Sequence, residues 1–319
     1  MLKNTTLVFK IKSGEVSFNN EDIGDWVIMK SNGIPTYNFA VVCDDHFMEI
    51  SHVLRGEEHL SNTPKQIQVY EYLGWEIPTF GHMTLIINES GKKLSKRDPH
   101  IVQFIQQYKE MGYLPEAIFN FILLLGWTPA VNKELFTMEE AMEEFDPARL
   151  SRSPSMFDND HLNWMNSTYI KNLDEEKYLE LVKPFLLKNE NLNGADEAKL
   201  NLISKIYKSE LIYLDQINEL VNLVLIKNQD FDKNAIFAAE SKDLLLKFAD
   251  LLKNNESNSF DKESFKLVIN ELISLTGIKG KNLYMPIRMA LTGHEHGVEL
   301  FNIINIIGKE EAIRRLKEE

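Results

Sequence analysis

Up to about residue 90 the apolar positions come in short runs: Leu7 to Ile11, Trp26 to Met29, Asn38 to Cys43, Ile50 to Leu54 and Met83 to Ile87. Turn-forming stretches such as S-N-G-I-P separate them, and runs of this length between such breakers predict strands. Asn38 to Cys43 is nearly continuous in apolar character, as a strand covered on both faces is. Between the last two runs, Thr63 followed by Pro64 predicts a helix with Thr63 as its N-cap. Strand, helix and strand in succession predict part of an α/β sheet.

After Asp98-Pro99 the spacing changes. Ile101, Phe104, Ile105 and Tyr108, then Ala117 to Leu125, repeat at helical intervals, and G-W-T-P ends the second segment. From about residue 174 the chain reads as amphipathic helices joined by polar stretches such as K-N-E-N-L-N-G. The fold class predicted is a mixed α/β N-terminal portion followed by a mainly α-helical C-terminal region. No internal repeat breaks this pattern. Trp75, Trp127 and Trp164 stand in apolar settings and read as core.

Composition adds limits. The 319 residues are 44% hydrophobic and 26% charged, an ordinary globular balance, and suffice for roughly two domains. No apolar run approaches the roughly 20 residues of a membrane span. The single cysteine, Cys43, excludes an internal disulfide framework and a cysteine-built zinc site, so a cytoplasmic location is expected. The net charge of -13 argues against a uniformly basic nucleic-acid binder, but a local basic stripe can still hold phosphates.

One such stripe is G-K-K-L-S-K-R-D at 91 to 98. A turn carrying Lys93, Ser95, Lys96 and Arg97 just past a strand places compact ammonium charges where a triphosphate could meet them. Against ATP, those charges would stabilise the leaving pyrophosphate. Asp44-Asp45-His46 reads as a polar turn, and G-H-E-H-G at 293 to 297 lacks the spacing of a zinc-protease helix. By residue type alone Arg55 reads as a structural ion-pair partner, and Tyr37 and Val41 as core of a buried strand.

The turn at 91 to 98 resembles the K-M-S-K-S loop of class I aminoacyl-tRNA synthetases. Y-N-F-A-V-V-C-D-D-H at 37 to 46, V-L-R-G-E-E-H-L-S-N-T-P-K-Q at 53 to 66 and G-I-K-G-K-N-L-Y-M-P-I-R-M-A-L-T-G at 277 to 293 narrow the resemblance to bacterial glutamyl-tRNA synthetases. It implies a glutamate–tRNA ligase that makes glutamyl-adenylate from ATP and passes the acyl group to the tRNA 3′ end. The alternative is a non-catalytic tRNA-binding module or inactive remnant. No H-x-G-H occurs among the eight histidines, so the resemblance implies a C-terminal fragment lacking the first half of the catalytic domain.

Residue by residue, the resemblance implies that Tyr37 and Arg55 bind glutamate and that His59 lies beside the adenine. Lys96, with Lys93 and Ser95, would bind ATP, the two lysines being catalytic; Glu57 and Glu58 would organise the pocket. Arg97, Arg149, Arg152, Lys281 and Arg288 would contact tRNA. No resident metal and no zinc are implied; Mg2+ would accompany ATP. The partners implied are tRNA(Glu), L-glutamate, ATP and a separate N-terminal half. The divisions expected are 1–90 for the catalytic portion, 91–165 for the signature loop and stem-contact helices, and 166–319 for a helical anticodon-binding region.

Overall fold

The computed structural model describes residues 6–11, 14–88, 90–94, 102, 104–151, 153–228 and 239–318. The chain divides into two compact units. One comprises Met1–Ile101 with Ile118–Asp160, the other Val102–Ala117 with His161–Glu319.

The first unit opens with an antiparallel hairpin, β1 (Thr6–Ile11) against β2 (Gly14–Asn19), in the register that pairs Leu7 with Phe18 and Phe9 with Val16, followed by the short α1 (Asn20–Ile23). Helix α2 (Tyr37–Phe47) leads to β3 (His52–Gly56), α3 (Thr63–Leu73) and β4 (Thr79–Met83). Strands β3 and β4 pair in parallel, from His52 against Thr79 to Gly56 against Met83. Two parallel strands cannot be joined by a tight turn, and α3 supplies the crossover. Its buried face carries Ile67 and Tyr70, packed with Val42 of α2 and Phe80 of β4. The left-handed Gly74 ends it (φ 68°), a conformation that glycine adopts without the Cβ penalty.

The expected strand at Asn38 to Cys43 is instead the first half of α2. A short apolar run does not by itself separate a buried strand from a buried helix turn. Here Val42 alone is deeply buried while Tyr37 stands 52% exposed, the one-sided burial of a helix. Trp26 to Met29 forms no strand; only Met29 bridges, to Pro35. Asp44, Asp45 and His46 lie in the last turns of α2. Thr63 is the first residue of α3, with Asn62 in the cap position.

Farther on, β5 (Ile86–Ile87) pairs in parallel with β6 (Ser155–Met156). Helix α4 (Ile105–Met111), which belongs to the second unit, precedes α5 (Pro115–Gly126) and α6 (Met138–Glu144). Trp127, 2% exposed, packs against Phe136 beneath α6.

The second unit is helical: α7 (Asn159–Asn172), α8 (Glu175–Leu186), α9 (Glu197–Tyr207), α10 (Gln216–Leu225), α11 (Ala239–Asn254), α12 (Lys262–Thr276), α13 (Lys281–Thr292), α14 (Leu300–Ile307) and α15 (Lys309–Lys317). Asp174, Asp196 and Asp261 cap α8, α9 and α12, each carboxylate accepting a backbone N–H three residues on. Such caps satisfy donors that a helix start leaves open.

Arg315 of α15 is 5% exposed. It donates to the carbonyls of Val224 (2.9 Å) and Leu225 (2.7 Å) at the end of α10, and of Leu291 (2.6 Å) near the end of α13. Trp164 of α7, expected in the core, is 48% exposed and stacks on His161 with ring centroids 5.6 Å apart. Among the described residues no helix is long and apolar enough to cross a membrane.

Candidate functional site

The carboxyl end of β3 delivers Arg55 and Gly56 into the short 3-10 turn Glu57–His59, immediately before α3. Arg55 is half-buried, and its Nη2 donates to Thr63 Oγ1 at 2.8 Å and to Gln66 Oε1 at 2.7 Å. Its guanidinium also lies 5.3 Å from the centre of the Phe80 ring. Burial lowers its pKa, while the phenol of Tyr37 and the carboxyl of Asp45 favour the charged form. Burial likewise raises the Asp45 pKa, which Arg55 opposes.

Around that cation the structure gathers further side chains. The rings of Tyr37, at the start of α2, and His59 have centroids 5.8 Å apart. The side chains of His59 and Asn62 lie 3.2 Å apart, Nδ1 to Nδ2. His82 on β4 sits 2.9 Å from Thr63 Oγ1 through Nε2. Burial first, then Arg55 and His59, lowers the His82 pKa, so its ring is neutral at pH 7. Tyr70, 1% exposed, has its pKa pushed up to about 12 by burial and then by Asp45.

Lys93 stands at the root of the basic turn. Asn88 builds that root: its Oδ1 accepts from the backbone N–H groups of Ser90 (3.1 Å) and Lys92 (3.0 Å). Gly91 takes the left-handed conformation the turn needs (φ 74°). Lys93 Nζ reaches Glu58 Oε1 at 3.0 Å. A hydrogen bond from its own backbone, then Lys93, holds the Glu58 carboxyl below its usual range. This exposed pair is a weak tie, which leaves Lys93 able to exchange Glu58 for another anion. Ser95, Lys96 and Arg97 lie outside the described residues, as does Arg152.

The structure thus brings Tyr37, Arg55, His59 and Lys93 into one unit on neighbouring elements. Arg149 instead clamps the chain after Trp127, donating through Nε to the Thr128 carbonyl (2.8 Å) and through Nη2 to that of Pro129 (2.9 Å). Arg288 donates Nη1 to the Val298 carbonyl (2.9 Å), and burial lowers its pKa. Lys281 is exposed at the first residue of α13. Among the described residues, no group of three or more His, Cys, Asp or Glu could hold a metal ion.

Thr63, expected only as a helix cap, and Gln66 and His82, all three buried, were not among the site residues the sequence marked. The available signal was their spacing: polar Thr63 and Gln66 fall three apart on α3, on the same face as Tyr70. A buried polar pair on a helix needs a partner, and Arg55 provides it.

This arrangement, a parallel strand ending in an arginine with a basic turn beyond, agrees with what comparison finds. Residues 4–164 match the family model for the catalytic domain of class I tRNA synthetases (E and Q), and residues 177–319 match an anticodon binding domain. The chain belongs to the class I tRNA synthetases of the glutamate and glutamine type. Among curated relatives, a glutamate–tRNA ligase of Geobacillus thermodenitrificans is 52% identical over 312 residues, which are 95% of this chain and 63% of that protein. One of Bacillus subtilis is 49% identical over 314 residues, 96% of this chain and 65% of its own length. The crystal structure of a glutamate tRNA ligase from Elizabethkingia meningosepticum in complex with its amino acid has a TM-score of 0.88 at 30% identity. That match covers 100% of this chain and 66% of the other. The chain therefore spans just under two thirds of the length of these relatives.

Proposed function

We propose that the chain serves glutamate–tRNA ligation: ATP-dependent formation of glutamyl-adenylate and transfer of the acyl group to the 3′ end of tRNA(Glu), in the cytoplasm. The single observation that carries the reading is the run of curated relatives near 50% identity over 95% or more of the chain that bear this name. Catalysis in this scheme is positioning and electrostatics, without a covalent enzyme intermediate. Arg55 and Tyr37 hold glutamate, and His59 lies by the adenine. Lys93, Ser95 and Lys96 meet the triphosphate, with Mg2+ entering as its counter-ion. Arg97, Arg149, Arg152, Lys281 and Arg288 face tRNA phosphates. Residues 1–90 form the catalytic portion, 91–165 the loop and stem-contact helices, and 166–319 the anticodon-binding region.

A second reading is tRNA binding without adenylation. The absence of any H-x-G-H from the 319 residues favours it, because that element belongs to the nucleotide site in the family the chain resembles. Both readings require recognition of tRNA. Filter binding at fixed salt should show tRNA(Glu) held more tightly than a non-cognate tRNA of equal length. Equal retention of the two would refute both.

A further inference from the structure

Arg55 carries five N–H donors, one on Nε and two on each terminal nitrogen. Both hydrogens of Nη2 are committed, one to Thr63 Oγ1 and one to Gln66 Oε1. A guanidinium has two edges on which N–H bonds run parallel, Nη1 with Nη2 and Nε with Nη2. Each edge needs one Nη2 hydrogen. Both two-pronged grips on a carboxylate are therefore closed while these contacts hold. What remains is the pair of donors on Nη1 and the one on Nε; Nε is buried without a protein partner, and the Tyr37 hydroxyl lies close enough to hydrogen-bond the guanidinium.

The two acceptors are themselves fixed. Gln66 is 1% exposed, and its Nε2 donates to Asn38 Oδ1 at 2.9 Å. A flip of the amide would set its NH2 against the guanidinium and its oxygen against Asn38 Oδ1. Thr63, fully buried, touches three groups with one hydrogen and two lone pairs. One assignment satisfies all three: it accepts from Arg55 and from His82 Nε2–H, and donates to the His59 carbonyl at 3.3 Å. Asn38 follows Tyr37 on α2, so the chain from Arg55 through Gln66 to Asn38 ties the two proposed glutamate contacts together.

We infer that Thr63 and Gln66 are positioning residues for Arg55: they hold its guanidinium by Nη2 so that it meets a carboxylate through a single donor, on Nη1 or on Nε, and not through a fork. This deepens the reading of Arg55 as the amino-acid contact and rests on it. Asn38 and His82 act one step further out, by orienting Gln66 and Thr63.

Two readouts on the full chain test the inference separately. With 15N-labelled arginine, a guanidinium pinned at Nη2 rotates slowly and shows distinct Nη1 and Nη2 resonances for Arg55. Gln66→Ala and Thr63→Val should merge them, whereas Thr63→Ser, which keeps the hydroxyl, should leave them split. Calorimetric titration with L-glutamate should show an affinity at least about tenfold weaker for Gln66→Ala, the loss expected when a charged hydrogen-bonded group is left unheld. Gln66→Glu separates positioning from folding. Its carboxylate still accepts from Nη2, so the resonances stay split, while the added charge offsets Arg55 and lowers glutamate affinity by at least the same factor. Merged resonances in the parent, or splitting that survives both Gln66→Ala and Thr63→Val, would overturn the inference. Split resonances in a parent that takes up no glutamate would support the cradle and overturn the assignment of Arg55 to glutamate.

Discussion

His82 shares a buried hydrogen-bond cluster with a cation that is always charged. A second positive charge there is opposed by burial, by Arg55 and by His59, so the folded protein takes up that proton only at a pH below the ordinary histidine value of 6.5. The unfolded chain takes it up near 6.5. Between the two values the unfolded state holds more protons, and stability falls as pH drops through that window. The urea midpoint should therefore decrease between pH 7.5 and pH 5.5, and by less in His82→Gln, whose amide still reaches Thr63. An identical decrease in parent and variant would assign the effect to other groups. At this scale Arg55, Tyr37, His59 and Lys93 could be picked out through the resemblance, because they stand within short motifs. Thr63 and Gln66 stand in the same stretch as Arg55 and their spacing hints at a shared face, but their role could not be read there, because the contact between Thr63 and His82 joins positions 19 apart that only the β3–α3–β4 crossover brings together.

Elements were legible where the pattern was long and periodic. The helices after residue 174 and the helix begun at Thr63-Pro64 follow from spacing and from Asp or Pro at their starts. The exceptions have local causes. The apolar run in α2 carries no period long enough to distinguish helix from strand, and the Thr63 hydroxyl, expected as a cap, is engaged by Arg55 and His82. The closing helix α15 shows how two adjacent arginines differ. Arg314 pairs on the surface with Glu311 and Glu318, whereas Arg315 shares Glu311 through Nε at 2.8 Å and also satisfies three carbonyls at the ends of α10 and α13. Arg315→Met should cost about 3–5 kcal/mol, since it strands buried acceptors and removes the partner of a buried charge network. Arg314→Ala should leave the urea midpoint nearly unchanged. Comparable shifts in both variants would show that the buried carbonyls find other donors.

For the whole molecule, the net charge of -13 and the proposed tRNA partner fit together only if binding is local. A few cations would displace counterions from phosphates while carboxylates elsewhere set the total. The chain alone should therefore bind tRNA with an affinity that falls linearly on a log–log plot as salt rises, the slope counting the phosphates neutralised. Glutamate-dependent pyrophosphate exchange by the same chain separates the two readings: exchange belongs to adenylation, and its absence leaves tRNA binding alone. Salt-independent retention on the filter would exclude phosphate contacts as the source of binding, and robust exchange would show that other residues of this chain complete the nucleotide site.

The four tryptophans divide unevenly between the units. Trp26, Trp75 and Trp127 belong to the first, and Trp164 alone to the helical one. Trp127 is sealed behind Phe136, whereas Trp164 faces solvent on its histidine neighbour. The protein therefore carries its own optical labels: a blue-emitting indole that a collisional quencher cannot reach and a red-emitting one that it can. With Trp164→Phe as the reference, difference emission isolates the helical unit, and the remaining signal follows the Arg55 unit without any attached dye.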